Sequence, residues 1–363
     1  MITRIDVANI NSIGNVSVSF EKAKYKYLET YTLNGEVANP IALYGKNGSG
    51  KSSFVNAIYG LLDLLISDKD RLLPFVFNMS NIDNQSKPAR VRVHFKLSTD
   101  SFIYSLSTTM RGIVEESLHF NGDVIMHRKG TTLTYGESKT RITATLFPAL
   151  RFLASGSIDE SSPINKAFSF LSNIAYVNAN THSYLAKSFQ NKSSYDVMVE
   201  KSNQIRSVLK EYNSFPEYEI VSDIDKNNKK QYFMKMHSGD NSFVLPFSFA
   251  SQGMKDQSFI LAILLSLPAN GVLVIDEIET ALHTLTIMNF IDLVVKKNIQ
   301  LIFTSHNTYI LSRLRPDNVF FSYWKDGFST YRRLSDIYPN IREVNNIEKM
   351  YLSSAFDEAI EGN

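Results

Sequence analysis

Eight consecutive residues, Gly45-Lys46-Asn47-Gly48-Ser49-Gly50-Lys51-Ser52, satisfy the spacing G-x-x-x-x-G-K-[ST] and are followed by Ser53. Glycines at these positions let the backbone wrap closely around an anion with its N–H groups turned inward. A helix opening at Lys51 would direct its dipole and its free N–H groups at the same point. The Lys51 ammonium can then reach the outer phosphates of a nucleotide, and the Ser52 hydroxyl can ligate Mg²⁺. A chance match to this pattern is expected in about one chain of this length in a hundred, given ordinary glycine usage.

Three further segments carry polar residues at the ends of apolar runs. Val272-Leu273-Val274-Ile275 ends in Asp276-Glu277. Asp276 at a strand tip can hold Mg²⁺ through water, and Glu277 can polarise an attacking water. Alone, this pattern also fits a buried strand with solvated acids at its end. Ser251-Gln252-Gly253-Met254 precedes a helical stretch, and a serine and a glycine at a helix N-terminus make a second anion seat. By itself S-x-G is a common N-cap. Leu301-Ile302-Phe303-Thr304-Ser305 leads to His306, which could contact a terminal phosphate.

Particular elements must position these groups. Ile41-Ala42-Leu43-Tyr44 reads as a buried strand, and the spacing of Val55, Ile58, Leu62 and Leu65 predicts a helix over 54–66, so the first motif lies between strand and helix. Alternation in residues 1–40 and 90–128 predicts an antiparallel sheet, with a hairpin at Asn121-Gly122. Residues 142–215 read as mainly helical around a strand at 174–177, with Met198, Ile205, Val208, Leu209 and Tyr212 on one helical face. A hairpin is expected over 232–246, turning at Gly239-Asp240. After it come a helix over 252–267, strand 271–275, helix 281–296, and strands 300–304 and 318–323. The fold class is α/β, divided as an N-terminal lobe (1–141), a helical insert (142–215) and a C-terminal lobe (216–363).

Composition narrows the function classes. The chain has 363 residues, 44% hydrophobic and 20% charged, which are ordinary globular values. The net charge of +2 provides no global field for nucleic acid or membrane, and direct DNA binding stays open. With no cysteine, disulfide frameworks and thiolate chemistry are excluded, and a cytoplasmic setting is compatible. No signal peptide or spanning segment is read, so no membrane partner is expected. The run Lys226 to Lys230 reads as a solvated hairpin end, and the acidic tail with Asp357, Glu358 and Glu361 as exposed.

In that order, the P-loop, the S-x-G signature, the strand ending in Asp-Glu and the strand ending in His resemble an ABC-type ATPase head, as in SMC- and Rad50-like proteins. The resemblance implies a parallel core sheet with an antiparallel β-subdomain, a helical subdomain and no coiled-coil arms. It makes Ala250 to Met254 the signature, Thr280-Ala281-Leu282-His283 the following D-loop and His306 the switch histidine. Gln252 departs from the small residue usual there. The cofactors implied are ATP and Mg²⁺. Glu277, His306 and Lys51 are the catalytic residues, and residues 45 and 47–53 with Ser251, Gln252 and Gly253 contact nucleotide. Ser52 and Asp276 hold the metal, and Gln85 is a candidate for the Mg²⁺-sensing glutamine.

The segments Glu115-Glu116-Ser117-Leu118, Val208-Leu209-Lys210 and Ile347 to Ser354 narrow the resemblance to compact prokaryotic defence ATPases of the RloA/AbiLi abortive-infection type and the PARIS anti-phage ATPase subunit. This implies a homo-oligomer, at minimum an ATP-sandwich dimer, that controls a separate effector. That effector is expected to be a TOPRIM-type nuclease released by a phage-encoded trigger. A DNA-repair or DNA-maintenance ATPase shares the same head and would show DNA-stimulated hydrolysis; the near-neutral charge and missing arms count against it. A transporter subunit is disfavoured by the 200 residues from Lys51 to Ser251. A scaffold that binds ATP without turnover is the non-enzymatic alternative.

Overall fold

In a computed structural model the chain builds one long mixed sheet, described here for residues 1–23, 25, 28–67, 87–143, 146–156, 159–212, 217–238, 241–339, 341 and 345–356. Gln85, the Gly239-Asp240 turn and the acidic tail fall outside these residues. The first strands are β1 (Ile2–Ile10), β2 (Ile13–Ser19), the short pair β3 (Thr32–Leu33) and β4 (Val37–Ala38), and β5 (Ile41–Tyr44), followed by α1 (Lys51–Ile66). An antiparallel run follows: β6 (Ala89–Leu97), β7 (Asp100–Thr109), β8 (Gly112–Phe120), β9 (Asp123–Lys129), β10 (Thr132–Tyr135) and β11 (Ser138–Arg141). Next come α2 (Ala149–Gly156), α3 (Pro163–Ser172), β12 (Ile174–Asn178), β13 (Ser183–Leu185), α4 (Ser194–Glu200) and α5 (Ser202–Tyr212). A separate meander, β14 (Tyr218–Ile224), β15 (Lys230–Ser238) and β16 (Asn241–Pro246), leads to α6 (Gln252–Ser266) and β17 (Val272–Asp276). The chain continues through α7 (Ile278–Ala281), α8 (Thr284–Lys296), β18 (Gln300–Thr304), β19 (Val319–Lys325), β20 (Phe328–Arg333), α9 (Leu334–Ile337) and α10 (Ile347–Leu352).

The fifteen-stranded sheet runs β11-β10-β9-β8-β7-β6-β1-β2-β20-β19-β5-β18-β17-β12-β13. Its centre is parallel: β19, β5, β18, β17 and β12 pair in one direction. Strands buried on both faces read as unbroken apolar runs, which is how β5, β17 and β18 appear in the sequence. Their side chains alternate between two cores. Ile41, Leu43, Val272, Val274 and Ile302 face the core that holds α1, α2 and α3; Ala42, Tyr44, Leu273, Ile275, Leu301 and Phe303 face the core of α6 and α8. The antiparallel wing is part of the same sheet, joined where Ile13 of β2 pairs with Ser329 of β20.

Glu116, within one of the segments that carried the defence-type resemblance, ties this wing to the helices. It is fully buried and accepts hydrogen bonds from the first N–H groups of α2, Ala149 (2.7 Å) and Leu150 (2.8 Å), and from the Tyr104 hydroxyl (2.9 Å). Arg128 lies 4.0 Å away, so the buried charge is both hydrogen-bonded and paired. Burial nonetheless pushes its carboxyl above the ordinary value.

Several elements differ from expectation. The helix expected over 281–296 begins only at Thr284, as α8, because Leu282 is extended (φ −125°) and separates it from the short α7, which ends at Ala281. The Leu282 side chain remains buried, so the apolar spacing hides the break. The face holding Met198 to Tyr212 is likewise split at Lys201, between α4 and α5. The strand expected at 174–177 is present as β12, and it pairs in register with β17 inside the core sheet, Asn178 opposite Asp276. Lys226 to Lys230 lies exposed at the β14–β15 turn.

Candidate active site

The P-loop leaves β5 at Gly45 and enters α1 at Lys51. Gly45 (φ 152°) passes so close to β19 that a Cβ would stand 2.3 Å from the Ser322 carbonyl oxygen. Gly50 (φ 105°) is the left-handed residue that opens α1, and a Cβ there would meet Ser329 Oγ at 2.1 Å. Both positions therefore require glycine sterically as well as conformationally. Neighbouring strands pin the loop: Ser49 Oγ lies 2.6 Å from Ser322 Oγ, and the Tyr331 hydroxyl donates to the Gly50 carbonyl (2.6 Å). Asn47 and Gly48 are exposed at its crest. Ser53 faces inward instead, its Oγ 2.8 Å from Ser12 Oγ.

Lys51 is buried, and its ammonium donates to the carbonyls of Gly45 (3.0 Å) and Lys46 (3.3 Å). Burial lowers its pKa, while the carboxylates of Glu279, Asp276 and Glu277 pull it back up. Beside it, Asp276 is held from three sides. Its Oδ1 accepts from Thr304 Oγ1 (2.6 Å) and Ser52 Oγ (3.1 Å), and its Oδ2 from Asn178 Nδ2 (3.2 Å). Burial is the largest influence on this carboxyl and raises its pKa; the Thr304 and Ser52 hydroxyls and Lys51 work against that rise.

Glu277 follows in a left-handed conformation, φ 56° and ψ 57°, unusual for a residue with a side chain. Its N–H donates to Thr304 Oγ1 (2.7 Å), so one hydroxyl holds both acidic positions. Among the described residues the Glu277 carboxylate has no hydrogen-bond partner and remains available to a water. His306 is exposed, and its N–H donates to Glu279 Oε1 (2.6 Å). The other oxygen of Glu279 is buried and, among the described residues, has no hydrogen-bond partner.

The structure thus brings together Lys51, Ser52, Asp276, Glu277 and His306 at the C-terminal ends of β5, β17 and β18. It adds Thr304, Asn178 and Glu279, to which sequence reasoning assigned no role. The signal for Thr304 and Asn178 was a polar residue ending an apolar strand; for Glu279 it was the second acid in Asp-Glu-Ile-Glu. The donor set fits the expected ligands. Ser52 and Asp276 offer hard oxygens suited to Mg²⁺, and Lys51 with the loop amides offers a cationic seat for a triphosphate. Among the described residues no group of three or more His, Asp or Glu side chains could cage a metal. Mg²⁺ here would complete its shell with phosphate oxygens and water.

The signature lies elsewhere on the sheet. Ser251 caps α6, accepting from Met254 N–H (3.3 Å), and Ser251, Gln252 and Gly253 are all exposed. Gln252 bends back along the helix to Asp256 (2.7 Å). Phe259 of α6 packs on Tyr184 of β13 (4.7 Å between ring centroids). In the strand order β13 stands four places from β5, roughly 19 Å at ordinary strand spacing. Among the described residues, a Cβ on Gly253 would meet no atom within 4 Å outside its own helix backbone and chain neighbours, so the space beside it is open. In the D-loop, Ala281 and Leu282 are buried, while Thr280 and His283 are exposed.

Beside the P-loop lies a cavity of about 560 Å³, bounded by residues 45–49, the end of β19 and the α10 segment. Among the described residues, no helix is long and apolar enough to cross a membrane.

A family model described as "AAA domain, putative AbiEii toxin, Type IV TA system" matches residues 41–312, from the P-loop strand past His306. No curated protein matches the chain. Among solved structures, an SMC head bound to the C-winged helix domain of ScpA is similar at 17% identity, over 91% of this chain and 96% of that one (TM-score 0.51). The Smc head with a coiled coil and joint from Pyrococcus yayanosii is similar at 10% identity, over 98% and 99% (TM-score 0.51). The Pyrococcus furiosus Smc head with an extended coiled coil, bound to the C-terminal domain of ScpA, is similar at 12% identity, over 98% and 99% (TM-score 0.50). At these identities the likeness is one of fold, that of an ABC-type ATPase head; among the described residues the longest helix has 16 residues, so no long arm is present. With 272 of its 363 residues inside the family match, the chain belongs to the AAA domain family of that AbiEii-type description, built on the ABC-type head.

Proposed function

We propose that the protein binds and hydrolyses ATP between two copies of itself, and that this cycle controls a separate toxic effector in a cytoplasmic anti-phage system. The observation that carries the reading is the separation of two half-sites. The P-loop, Asp276, Glu277 and His306 form one, and the exposed Ser251-Gln252-Gly253 start of α6, the helix whose Phe259 packs on β13 four strands from β5, forms the other. A helix N-terminus with an open glycine suits an anion presented from outside the chain. In a head-to-tail pair each signature would cap the terminal phosphate held by the other copy's Lys51.

Within the P-loop half-site we assign each role from the group's chemistry and position. Lys51 and the loop amides neutralise the phosphates. Ser52 and Asp276 would hold Mg²⁺, which draws charge from the phosphate oxygens. Glu277, its peptide fixed by Thr304 and its carboxylate free, orients and deprotonates the attacking water. His306 stands at the adjoining strand end, where it can sense the terminal phosphate. Hydrolysis would remove the group that bridges the two copies and weaken the pair.

The defence setting is supported by the toxin–antitoxin description of the matched family and by the segments at 115–118, 208–210 and 347–354. The effector we propose is a TOPRIM-type nuclease, released when a phage protein engages the assembly.

The test is the mass of the protein in solution with ATP and Mg²⁺, using Glu277→Gln to stop turnover, and then of the complex purified with its neighbouring gene product. Dimers or larger rings that require ATP are expected. A Glu277→Gln protein that binds ATP and stays monomeric overturns the sandwich. Protection from phage without any companion gene overturns the effector.

A further inference from the structure

The cavity beside the P-loop is continuous with the phosphate seat but contains none of the catalytic side chains. One wall is the P-loop segment 45–49. The others are Ser322 and Trp324 of β19 and Tyr351, Leu352 and Ser354 of the C-terminal segment. We propose that this cavity seats the nucleoside half of the bound nucleotide, with the Trp324 indole as the stacking face for the base. The inference rests on the ATP-binding reading and specifies where the base goes.

Four observations carry it. First, reach: Phe321 of β19 pairs with Tyr44, the last residue of β5, so Trp324 lies three residues beyond the strand that feeds the P-loop. At about 3.3 Å per residue this is about 10 Å, comparable with the span from phosphate chain to base in an extended nucleotide. Second, an open ring: Trp324 is 52% exposed, and among the described residues its indole has no aromatic or cationic partner. Every nucleobase offers a π-face to such a surface. Third, a fixed back wall: the Tyr351 ring stacks on Phe321 (5.4 Å, 3° between planes) and meets Tyr44 edge-on (6.2 Å), which docks α10 against the P-loop strand. Fourth, size and lining: about 560 Å³, with aromatic, aliphatic and hydroxyl groups together, falls within the usual range for a small-ligand site.

The assignment also accounts for the Ile347 to Ser354 segment. It was singled out in the sequence by its resemblance alone, and no catalytic role reaches it. As a wall of the nucleoside cavity, its composition is tied to nucleotide binding rather than to the hydrolytic centre.

Trp324 is the chain's single tryptophan, so its fluorescence reports this cavity alone. The full-length protein is titrated in Mg²⁺ with ATP and separately with inorganic tripolyphosphate, with affinities measured in parallel by calorimetry. ATP should quench or shift the emission at saturation, and tripolyphosphate should bind with little change. Trp324→Ala should weaken ATP binding roughly tenfold, the usual scale of a lost base–aromatic stack. It should leave tripolyphosphate affinity unchanged, and Trp324→Phe should retain ATP affinity within about threefold. ATP affinity unaltered in Trp324→Ala overturns the proposal, as does an equal loss for both ligands. If the unsubstituted protein binds neither ligand, the P-loop reading itself falls and takes this one with it.

Discussion

Thr304→Val tests how the acidic pair is held. Valine matches threonine in shape but lacks the hydroxyl, and Thr304 is fully buried. That hydroxyl donates to Asp276 Oδ1 at 2.6 Å and accepts the Glu277 N–H at 2.7 Å. Its removal deprives a buried carboxylate of its shortest donor and leaves a peptide N–H without its acceptor. Hydrogen bonds to charged groups contribute about 1.5–3 kcal/mol, and a stranded buried N–H costs about 1–3 kcal/mol. Asp276 keeps Ser52 and Asn178, so a net loss near the lower sum, about 2.5 kcal/mol, is expected. An unfolding entropy of about 2.1 cal/mol/K per residue over this chain gives about 0.8 kcal/mol/K. The melting temperature should therefore fall by about 3 °C in scanning calorimetry of the nucleotide-free protein. Turnover should fall as well, because the left-handed Glu277 backbone, itself strained by about 1–3 kcal/mol, loses its anchor. Turnover should drop by about ten- to a hundredfold, while ATP affinity measured without Mg²⁺ stays unchanged. Thr304→Ser, which keeps the hydroxyl, should hold most of the turnover. If Thr304→Val melts and turns over like the parent, the hydroxyl bridge does not position Glu277.

Other substitutions separate the remaining parts. Lys51→Ala should abolish ATP binding in equilibrium dialysis, since it removes the buried ammonium at the loop. Ser251→Arg should leave single-copy ATP binding intact but prevent ATP-dependent dimers in light scattering, because Ser251 is exposed and its side chain contacts its own helix start rather than the P-loop. Glu116→Ala should cost about 3–5 kcal/mol in denaturant unfolding, since it leaves Arg128 buried and the start of α2 uncapped. For pH, the folded Asp276 carboxyl is raised above its unfolded value, so the folded state holds the proton more tightly. Its contribution to the stability of nucleotide-free protein is most favourable below the unfolded value and is lost as pH rises through the raised one. An Asp276→Asn protein should lack that acidic-side dependence in melting curves recorded against pH.

Much of the parallel centre was legible in the sequence because a strand buried on both faces must be apolar throughout. Residues 41–44 and 300–304 were delimited as they stand, and 272–276 within one residue. The P-loop and the carboxylate pair were legible because their chemistry requires contiguous residues. What escaped depends on partners far apart in sequence. Asn178 and Asp276 are 98 residues apart and meet only because β12 lies beside β17. The joining of the antiparallel wing to the core through β20 was equally hidden, since Phe328 to Arg333 carries no apolar run that marks a strand. The break at Leu282 was masked because its buried side chain keeps the helical spacing while its backbone does not.

The three-stranded meander has a colloidal consequence. Strand β16 is exposed throughout, with Phe243, Val244 and Leu245 at 46%, 54% and 37%, and Phe249 just beyond it at 78%. It is also the outer strand of its sheet, so its far backbone groups pair with no strand among the described residues. Unpaired peptide groups beside greasy side chains make an adhesive rim, and native edges usually blunt such rims with lysine or proline. Concentrated preparations should therefore clump through this strip, and Val244→Lys should keep them clear while sparing the nucleotide chemistry on the other sheet.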